Sequence, residues 1–288
     1  MEIQQLLDKI WPGYKYVGYL GGGTFGKVYK VRREEKKHVY EYAVKVMSIP
    51  SSIAELHELY SDGYTEEQAS KYFEDIADDL IEEIDIMYQL KGNSNIVNYD
   101  EHRLVEHEDD PGWDVCLRME VLKTLNKHFE ENEYSNKEIA KLGIDICNAL
   151  EICQKLNIIH RDIKPENIFI SDIGNYKLGD FGISKKQQMG TFGMTSQRGT
   201  PFYMAPEVKE GKSYDATVDI YSLGIVLYRF LNRNRVPFLP LETVPTSKDR
   251  ENAMNMRMEG VPIPRPCNAD EALANIILKA CSFEAKDR

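Results

Sequence analysis

Hydrophobic and polar residues alternate with a period of two between Tyr14 and Met47. β-branched and aromatic residues are frequent in this stretch, which is typical of strands with one buried face. The pattern predicts a twisted antiparallel meander.

Beyond the meander, apolar positions recur every three to four residues, which indicates helices. The first such stripe predicts a helix that ends near residues 92–93, a Gly-Asn pair typical of helix ends. Short strands are expected around residues 95–103 and 113–121. From Leu122 onward helices dominate, with apolar stripes that begin at Ile139, Ile220 and Leu273.

These patterns predict an α+β fold with two lobes. A small antiparallel β-sheet lobe would cover residues 1–121, and a larger, mainly helical lobe would cover residues 122–288. The lobes would join near residues 120–123, and junctions of this kind often hold ligand sites.

The 47 acidic residues exceed the 36 basic ones, and the excess lies in one segment. Residues 55–85 hold 12 acids and one Lys, whereas the rest of the chain is balanced. An acidic chain argues against a nucleic-acid binder, which relies on phosphate contacts. The five scattered cysteines fit a reducing, cytoplasmic compartment rather than a disulfide framework or a zinc site.

The most apolar stretch covers residues 220–231 and is interrupted by Arg229. It is shorter than the ~20 residues that span a bilayer. A buried helix is therefore predicted there, with no membrane segment within this chain.

Residues 21–28 read GGGTFGKV, which satisfies the pattern G-x-G-x-x-G-x-V. Dinucleotide-binding folds share this glycine spacing, but their glycines open a helix, whereas residues 28–31 continue as a strand. The loop is therefore predicted to join two antiparallel strands and to let backbone N–H groups approach phosphate oxygens. An ordinary hairpin turn is the alternative.

Lys45 lies on the third predicted strand and shares one face with Ala43. Ala43 is small enough to let a planar base lie over the sheet while Lys45 reaches phosphates. Glu83 falls on the apolar stripe of the next helix, and an inward carboxylate needs a cation nearby, so Glu83 is the expected partner of Lys45. Glu82 is the competing choice, and a solvent-exposed Lys45 is the alternative to this arrangement.

Three further motifs follow in order: residues 160–167 read HRDIKPEN, residues 180–182 read DFG and residues 205–207 read APE. With the glycine loop and the strand lysine, they resemble the catalytic domain of eukaryotic-type (Hanks-type) serine/threonine protein kinases. The resemblance covers residues from about Tyr14 to Arg288, and the loop 255–266 is most similar to bacterial members. It implies a two-lobed protein kinase-like fold.

The resemblance implies that Asp162 is the base that takes the proton of the acceptor hydroxyl and that Lys164 lies by the γ-phosphate of ATP. The metal ligands would be Asn167 and Asp180, which offer hard oxygens to Mg²⁺, with Mn²⁺ as an alternative.

The same resemblance assigns a nucleotide site. Lys45 would hold the α- and β-phosphates and would itself be held by Glu83. Met119 would be the gatekeeper, and the main chain of residues 120–122 would hydrogen-bond adenine. The expected nucleotide-binding residues are Leu20, Gly21, Gly23, Gly26, Val28, Ala43, Lys45, Met119, Glu120, Leu122 and Phe169.

Lys164 and Thr200 match the serine/threonine branch of the family rather than the tyrosine branch. A phosphate on Ser196, or on the adjacent Thr195, would pair with the cation of Arg161 and order this loop. Ordinary loop hydroxyls are the alternative. The regulatory candidates are therefore Arg161, Thr195, Ser196 and Thr200.

Lys45 and Glu83 are 38 residues apart, about twice the common spacing of the family motifs, so residues 51–72 look inserted. This acidic insertion would be a docking surface for a basic partner, a device that positions Glu83, or a solvated helix. At the end, Arg288 is expected to pair with Glu207. Relatives continue into another helix, which favours a catalytic fragment, and a membrane anchor after Arg288 would lie outside this sequence.

The sequence thus predicts an enzyme that transfers the γ-phosphate of MgATP to serine and threonine hydroxyls of protein substrates, controlled by activation-loop phosphorylation. The alternative is a catalytically weak, kinase-shaped scaffold or binding module. Such a module commonly lacks part of a set that is complete here: Lys45, Glu83, Asp162, Asn167 and Asp180. A small-molecule phosphotransferase would lack the segment 199–207.

Overall fold

The computed structural model describes residues 2–23, 26–108, 110–181 and 201–288. The chain divides into two compact units. Unit 1 comprises the described residues up to Gly92 together with Val97–Val121, and unit 2 comprises Asn93–Ile96 with the described residues from Leu122 onward.

Unit 1 is built on a five-stranded antiparallel sheet with the strand order β1-β2-β3-β5-β4. The predicted meander is confirmed as its first three strands. The elements of unit 1 are α1 (Ile3–Ile10), β1 (Tyr14–Gly23), β2 (Gly26–Glu35), β3 (His38–Ile49), α2 (Ile53–Ser61), α3 (Glu66–Gln89), β4 (Tyr99–Glu106) and β5 (Trp113–Met119).

Helix α3 starts where Thr65 supplies a cap. The Thr65 hydroxyl accepts the N–H of Gln68, and the Gln68 side chain accepts the N–H of Thr65, so two orphan donors of the first turn are satisfied. This start lies inside residues 51–72. The run that looks inserted is therefore α2, a turn and the beginning of α3 itself.

Helix α1 packs on one face of the sheet and was not predicted, since eight residues show too little periodicity. The Arg118 guanidinium on β5 lies 5.3 Å from the Trp11 ring and 5.0 Å from the Tyr14 ring, where cation–π attraction adds to packing. One hydrophobic cluster joins α1 to the sheet: Leu6, Leu7, Trp11, Val31, Val44 and Cys116.

Unit 2 is mainly helical, and α7 is its buried centre, packed against α5 and α9. A small antiparallel sheet has the order β6-β7-β8. The elements are β6 (Lys123–Thr124), α4 (Leu125–Glu131), α5 (Asn136–Lys155), β7 (Ile168–Ile170), β8 (Tyr176–Leu178), α6 (Pro206–Lys209), α7 (Thr217–Phe230), α8 (Ser247–Met258) and α9 (Glu271–Ala280).

The helical prediction for unit 2 is confirmed, because the apolar stripe that begins at Ile139 forms the buried face of α5. The apolar stretch 220–231 lies in and directly after α7, and nearly all of that helix is buried. In the part of the chain that the structure describes, no helix has both the length and the apolar character needed to cross a membrane.

Candidate active site

The glycine-rich segment of unit 1 connects two strands. Gly21 pairs with Val28 and Gly23 with Gly26 across the β1–β2 hairpin, so these glycines do not open a helix as they would in a dinucleotide fold. Gly26 has φ +122°, and a Cβ there would collide with the Val46 carbonyl oxygen. Glycine is therefore needed at position 26 for the close approach to β3. The tip, residues 24–25, lies outside the described residues.

The sheet presents several predicted nucleotide-binding residues on one face. Lys45 stands directly opposite Val28 on β2, and Ala43 stands opposite Met119 on β5. Directly paired residues share a face, and so do residues two apart on a strand. Lys45 is only 8% exposed, which contradicts the solvent-exposed alternative. The face carries a buried cation beside small and apolar side chains.

Helix α3 packs against β3 and β5 and turns Glu83 inward. Glu83 is 6% exposed, whereas Glu82 lies on the exposed side of the helix. Since burial of a carboxylate is costly without a compensating cation or donor, this difference favours Glu83 over Glu82 as the partner of Lys45.

The segment after β5 is fixed by Asn98. The Glu120 N–H donates to the Asn98 carbonyl at 3.3 Å, and the Glu120 carboxylate accepts the Asn98 N–H at 2.5 Å. The N–H of Glu120 is thereby committed within unit 1. Of the other predicted nucleotide contacts, Leu20 is 48% exposed, and Leu122 and Phe169 are half-buried in unit 2.

In unit 2, hydrogen bonds gather three predicted catalytic residues. Lys164 Nζ lies 2.9 Å from Asp162 Oδ2. Asn167 Nδ2 donates to the same oxygen at 3.0 Å and to the Asp162 carbonyl at 2.8 Å. The Asp162 carboxylate is thus oriented by two side chains that follow it in the loop.

The main chain before Asp162 is held by a residue that the sequence reasoning missed. The N–H groups of His160 and Arg161 each donate at 2.8 Å to the two carboxylate oxygens of Asp219. Burial raises the pKa of the Asp219 carboxyl, and the two N–H donors oppose that rise. The available signal was an acid near the start of the most apolar helix, α7, where a carboxylate needs dedicated donors.

His160 is buried and links the loop to the segment after β8. The Asp162 N–H donates to His160 Nδ1 at 3.3 Å, so Nδ1 is the acceptor and Nε2 carries the hydrogen that reaches the Gly179 carbonyl at 3.1 Å. Burial lowers the pKa of His160, which favours the neutral ring that this pairing requires.

Asp180 follows Gly179 and has φ +57°, in the left-handed region. Its neighbours are fixed: the Gly179 N–H donates to the Asn167 carbonyl at 2.9 Å, and the Phe181 ring lies 4.8 Å from the His160 ring. The two predicted metal ligands, Asn167 and Asp180, therefore belong to segments that are directly hydrogen-bonded.

Arg161 also has a positive φ, +67°, and its guanidinium lies 5.6 Å from the Tyr214 ring. The predicted phosphorylation sites Thr195 and Ser196, and Thr200, lie outside the described residues. The expected ion pair of Arg288 with Glu207 is confirmed, because both terminal guanidinium nitrogens of Arg288 bond the Glu207 carboxylate, at 2.5 and 2.8 Å.

A family comparison agrees with this arrangement, since the model of the protein kinase domain matches residues 14–288. The chain belongs to the protein kinase domain family. This kinase domain has the antiparallel sheet and the helical unit that the sequence resemblance implied. Family membership implies, in general, the use of ATP and a divalent metal.

Individual relatives of the kinase domain come from distant organisms. It is 31% identical to serine/threonine-protein kinase KIC1 of Saccharomyces cerevisiae over 80% of this chain and 19% of that protein. It is 30% identical to serine/threonine-protein kinase 36 of Mus musculus, over 75% of this chain and 14% of the relative.

A bacterial relative has the name "Probable serine/threonine-protein kinase CPE1738" and comes from Clostridium perfringens. The identity is 35% over 68% of this chain and 28% of that protein. The kinase domain thus spans less than a third of the length of each of these relatives.

The neutral, buried His160 predicts a pH dependence of stability. Its pKa lies below the unfolded value of about 6.5, so its contribution to stability is complete above about pH 6.5 and is lost as the pH falls. The free energy of unfolding in urea should decrease between about pH 7.5 and 5.5, and less steeply in His160→Gln. The pKa of His128 is also lowered, but His128 is common to both proteins. Equal slopes for the two would contradict a neutral, buried role for His160.

Proposed function

We propose that this kinase domain transfers the γ-phosphate of ATP to serine or threonine hydroxyls of a protein substrate. The observation that carries the proposal is the Asp162 carboxylate, which Lys164 and Asn167 orient by hydrogen bonds of 2.9 and 3.0 Å. A base must be held at a fixed position to accept a proton from an acceptor hydroxyl.

In the proposed step, the acceptor oxygen forms a bond to the γ-phosphorus, and the bond to the β,γ-bridging oxygen breaks. Asp162 takes the hydroxyl proton, and ADP leaves with the bonding electron pair. Lys164 places a positive charge beside the phosphoryl oxygens. General-base assistance of this kind contributes ~10²–10⁴-fold to the rate, and positioning and electrostatics supply the rest.

The donor set of unit 2 fits a hard divalent cation. Both bonds recorded for the Asn167 amide nitrogen point to Asp162, so its Oδ1 is directed away from them, and Asp180 adds a carboxylate. Mg²⁺ prefers such oxygens, and we take it as the ion, with Mn²⁺ as the second choice. When bound, it neutralises charge that develops on the transferred phosphoryl group.

The sheet face of unit 1 fits a nucleotide. Lys45 would bind the α- and β-phosphates, Glu83 would hold the Lys45 ammonium group, and Ala43 would leave room for the base. Because the Glu120 N–H is committed to Asn98, its carbonyl and the main chain of Leu122 would bond adenine.

Regulation and location complete the proposal. A phosphate carried by Ser196 or Thr195 would form an ion pair with the Arg161 guanidinium, in keeping with the position of Arg161 beside the base. All five cysteines are free thiols, which supports a reducing, cytoplasmic compartment.

The proposal is tested by phosphate incorporation from labelled ATP into a panel of basic, acidic and proline-directed Ser/Thr peptides. Asp162→Ala should reduce incorporation by about 10²-fold or more, because the base is removed. Asp172→Ala, at an exposed carboxylate of the same unit, is the matched control and should retain wild-type activity. Equal incorporation by Asp162→Ala and wild type would exclude the role assigned to Asp162, and no incorporation by wild type would favour the scaffold alternative.

The choice between Glu83 and Glu82 is tested with isosteric amides. Glu83→Gln should lower kcat/KM for ATP by about tenfold or more, because an amide cannot balance the buried Lys45 charge. Glu82→Gln lies one position round the same helix and should change kcat/KM by less than about twofold. Steady-state kinetics at saturating peptide measure both. The reverse order of effects would transfer the role to Glu82.

A further inference from the structure

The short segment between the undescribed residues and α6 is tied to unit 2 through its main chain. Residues 201–203 form a 3₁₀ turn and Met204 follows. The Ser222 hydroxyl donates to the Tyr203 carbonyl at 2.8 Å. Arg257 donates to the carbonyls on either side, that of Phe202 through Nη1 and that of Met204 through Nη2 at 3.0 Å. Three consecutive carbonyls are therefore held by side chains of α7 and α8.

Arg257 lies in the last turn of α8 and is 2% exposed. Its Nε donates to the Tyr221 hydroxyl at 3.1 Å, and its guanidinium lies 5.5 Å from the Tyr221 ring centroid. The three acceptors of Arg257 are thus the Tyr221 hydroxyl and the carbonyls of Phe202 and Met204, all of them neutral oxygens. A buried guanidinium is costly unless its donors are satisfied, and its planar fork can reach several acceptors at fixed angles, which a lysine cannot do. The geometry thus indicates a directional role for Arg257 rather than charge balance.

The other end of the segment, at Glu207, is held by Arg288, which also contacts Tyr221. Arg288 binds the Glu207 carboxylate through two nitrogens, and its guanidinium lies 4.9 Å from the Tyr221 ring. Tyr221 therefore contacts the cations that hold both ends of residues 202–207. These contacts fix both ends of residues 202–207 within unit 2.

We propose that Arg257 is a positioning residue that fixes the main chain of residues 202–204 as the surface on which the acceptor peptide docks. The inference rests on the proposed function, because that function supplies the peptide that would dock on this segment. Among the described residues of unit 2, Arg257 bonds Tyr221, Phe202 and Met204 and makes no hydrogen bond to Asp162. Its loss should therefore affect peptide binding and leave nucleotide use intact.

The experiment compares Arg257→Lys, Arg257→Met and wild type in the intact chain, with the peptide of the panel that accepts phosphate fastest. Arg257→Lys keeps the charge and loses the fork, so it should raise the KM for peptide about tenfold or more, and Arg257→Met should raise it at least as much. The KM for ATP and the slow hydrolysis of ATP without peptide should stay within about twofold of wild type. Arg250→Met, at an exposed arginine of the same helix, is the matched control and should leave both KM values unchanged.

The outcomes are distinct. If wild type transfers phosphate and folded Arg257→Lys has an unchanged KM for peptide, the positioning role is wrong and the proposed function stands. Parallel losses in peptide KM, ATP KM and ATP hydrolysis would also overturn it, because they would indicate a general structural role. If wild type transfers no phosphate, the proposed function itself fails. Thermal unfolding identifies the folded variants, and Arg257→Lys decides the question if Arg257→Met does not fold.

Discussion

The Asp219 carboxylate is the interaction on which the geometry of unit 2 depends. It is 2% exposed, and its two oxygens accept the N–H groups of His160 and Arg161. Two successive N–H groups can point at one carboxylate only if the chain bends sharply, and Arg161 has φ +67°. This backbone conformation is strained for a non-glycine residue, and it persists only where surrounding contacts hold it in place. The buried Asp219 carboxylate therefore fixes the main-chain direction of residues 160–161, which place Asp162.

Further contacts extend this constraint to the remaining candidate groups. His160 accepts the Asp162 N–H and reaches the Gly179 carbonyl, which fixes the residue before Asp180. Asn167 bonds Asp162 through its side chain and Gly179 through its carbonyl. A proposed base and two proposed metal ligands are thus positioned by hydrogen bonds that involve the main chain of these segments as well as side chains. In unit 1 the strand register positions the candidate residues, because the pairing of β2, β3 and β5 puts Lys45 on one face with Ala43 and Val28.

The parts of the fold with strong local signals could be predicted from the sequence. The alternation in β1 to β3, the stripe of α5 and the hairpin nature of the glycine segment depend on neighbours in the chain. Glu83 is buried and Glu82 is exposed, as the apolar stripe of α3 implied. Helix α1 could not be predicted, because its stability comes from packing of Leu7 and Trp11 on the sheet. Asp219 and Arg257 were missed because the backbone groups that they bond lie more than fifty residues away, and no local pattern encodes such pairs.

The most direct test of the account is Asp219→Asn, read by hydrogen exchange at the His160 and Arg161 amides together with the rate of phosphate transfer. An isosteric amide has one oxygen, so one buried N–H loses its acceptor, at a cost of about 1–3 kcal/mol. We predict faster exchange at one or both amides and a rate lowered by about tenfold or more, since ~1.4 kcal/mol corresponds to a factor of ten. Asp215→Asn, at the exposed acid just before α7, should change neither. Wild-type exchange and wild-type transfer in Asp219→Asn would contradict the claim that this carboxylate fixes the loop.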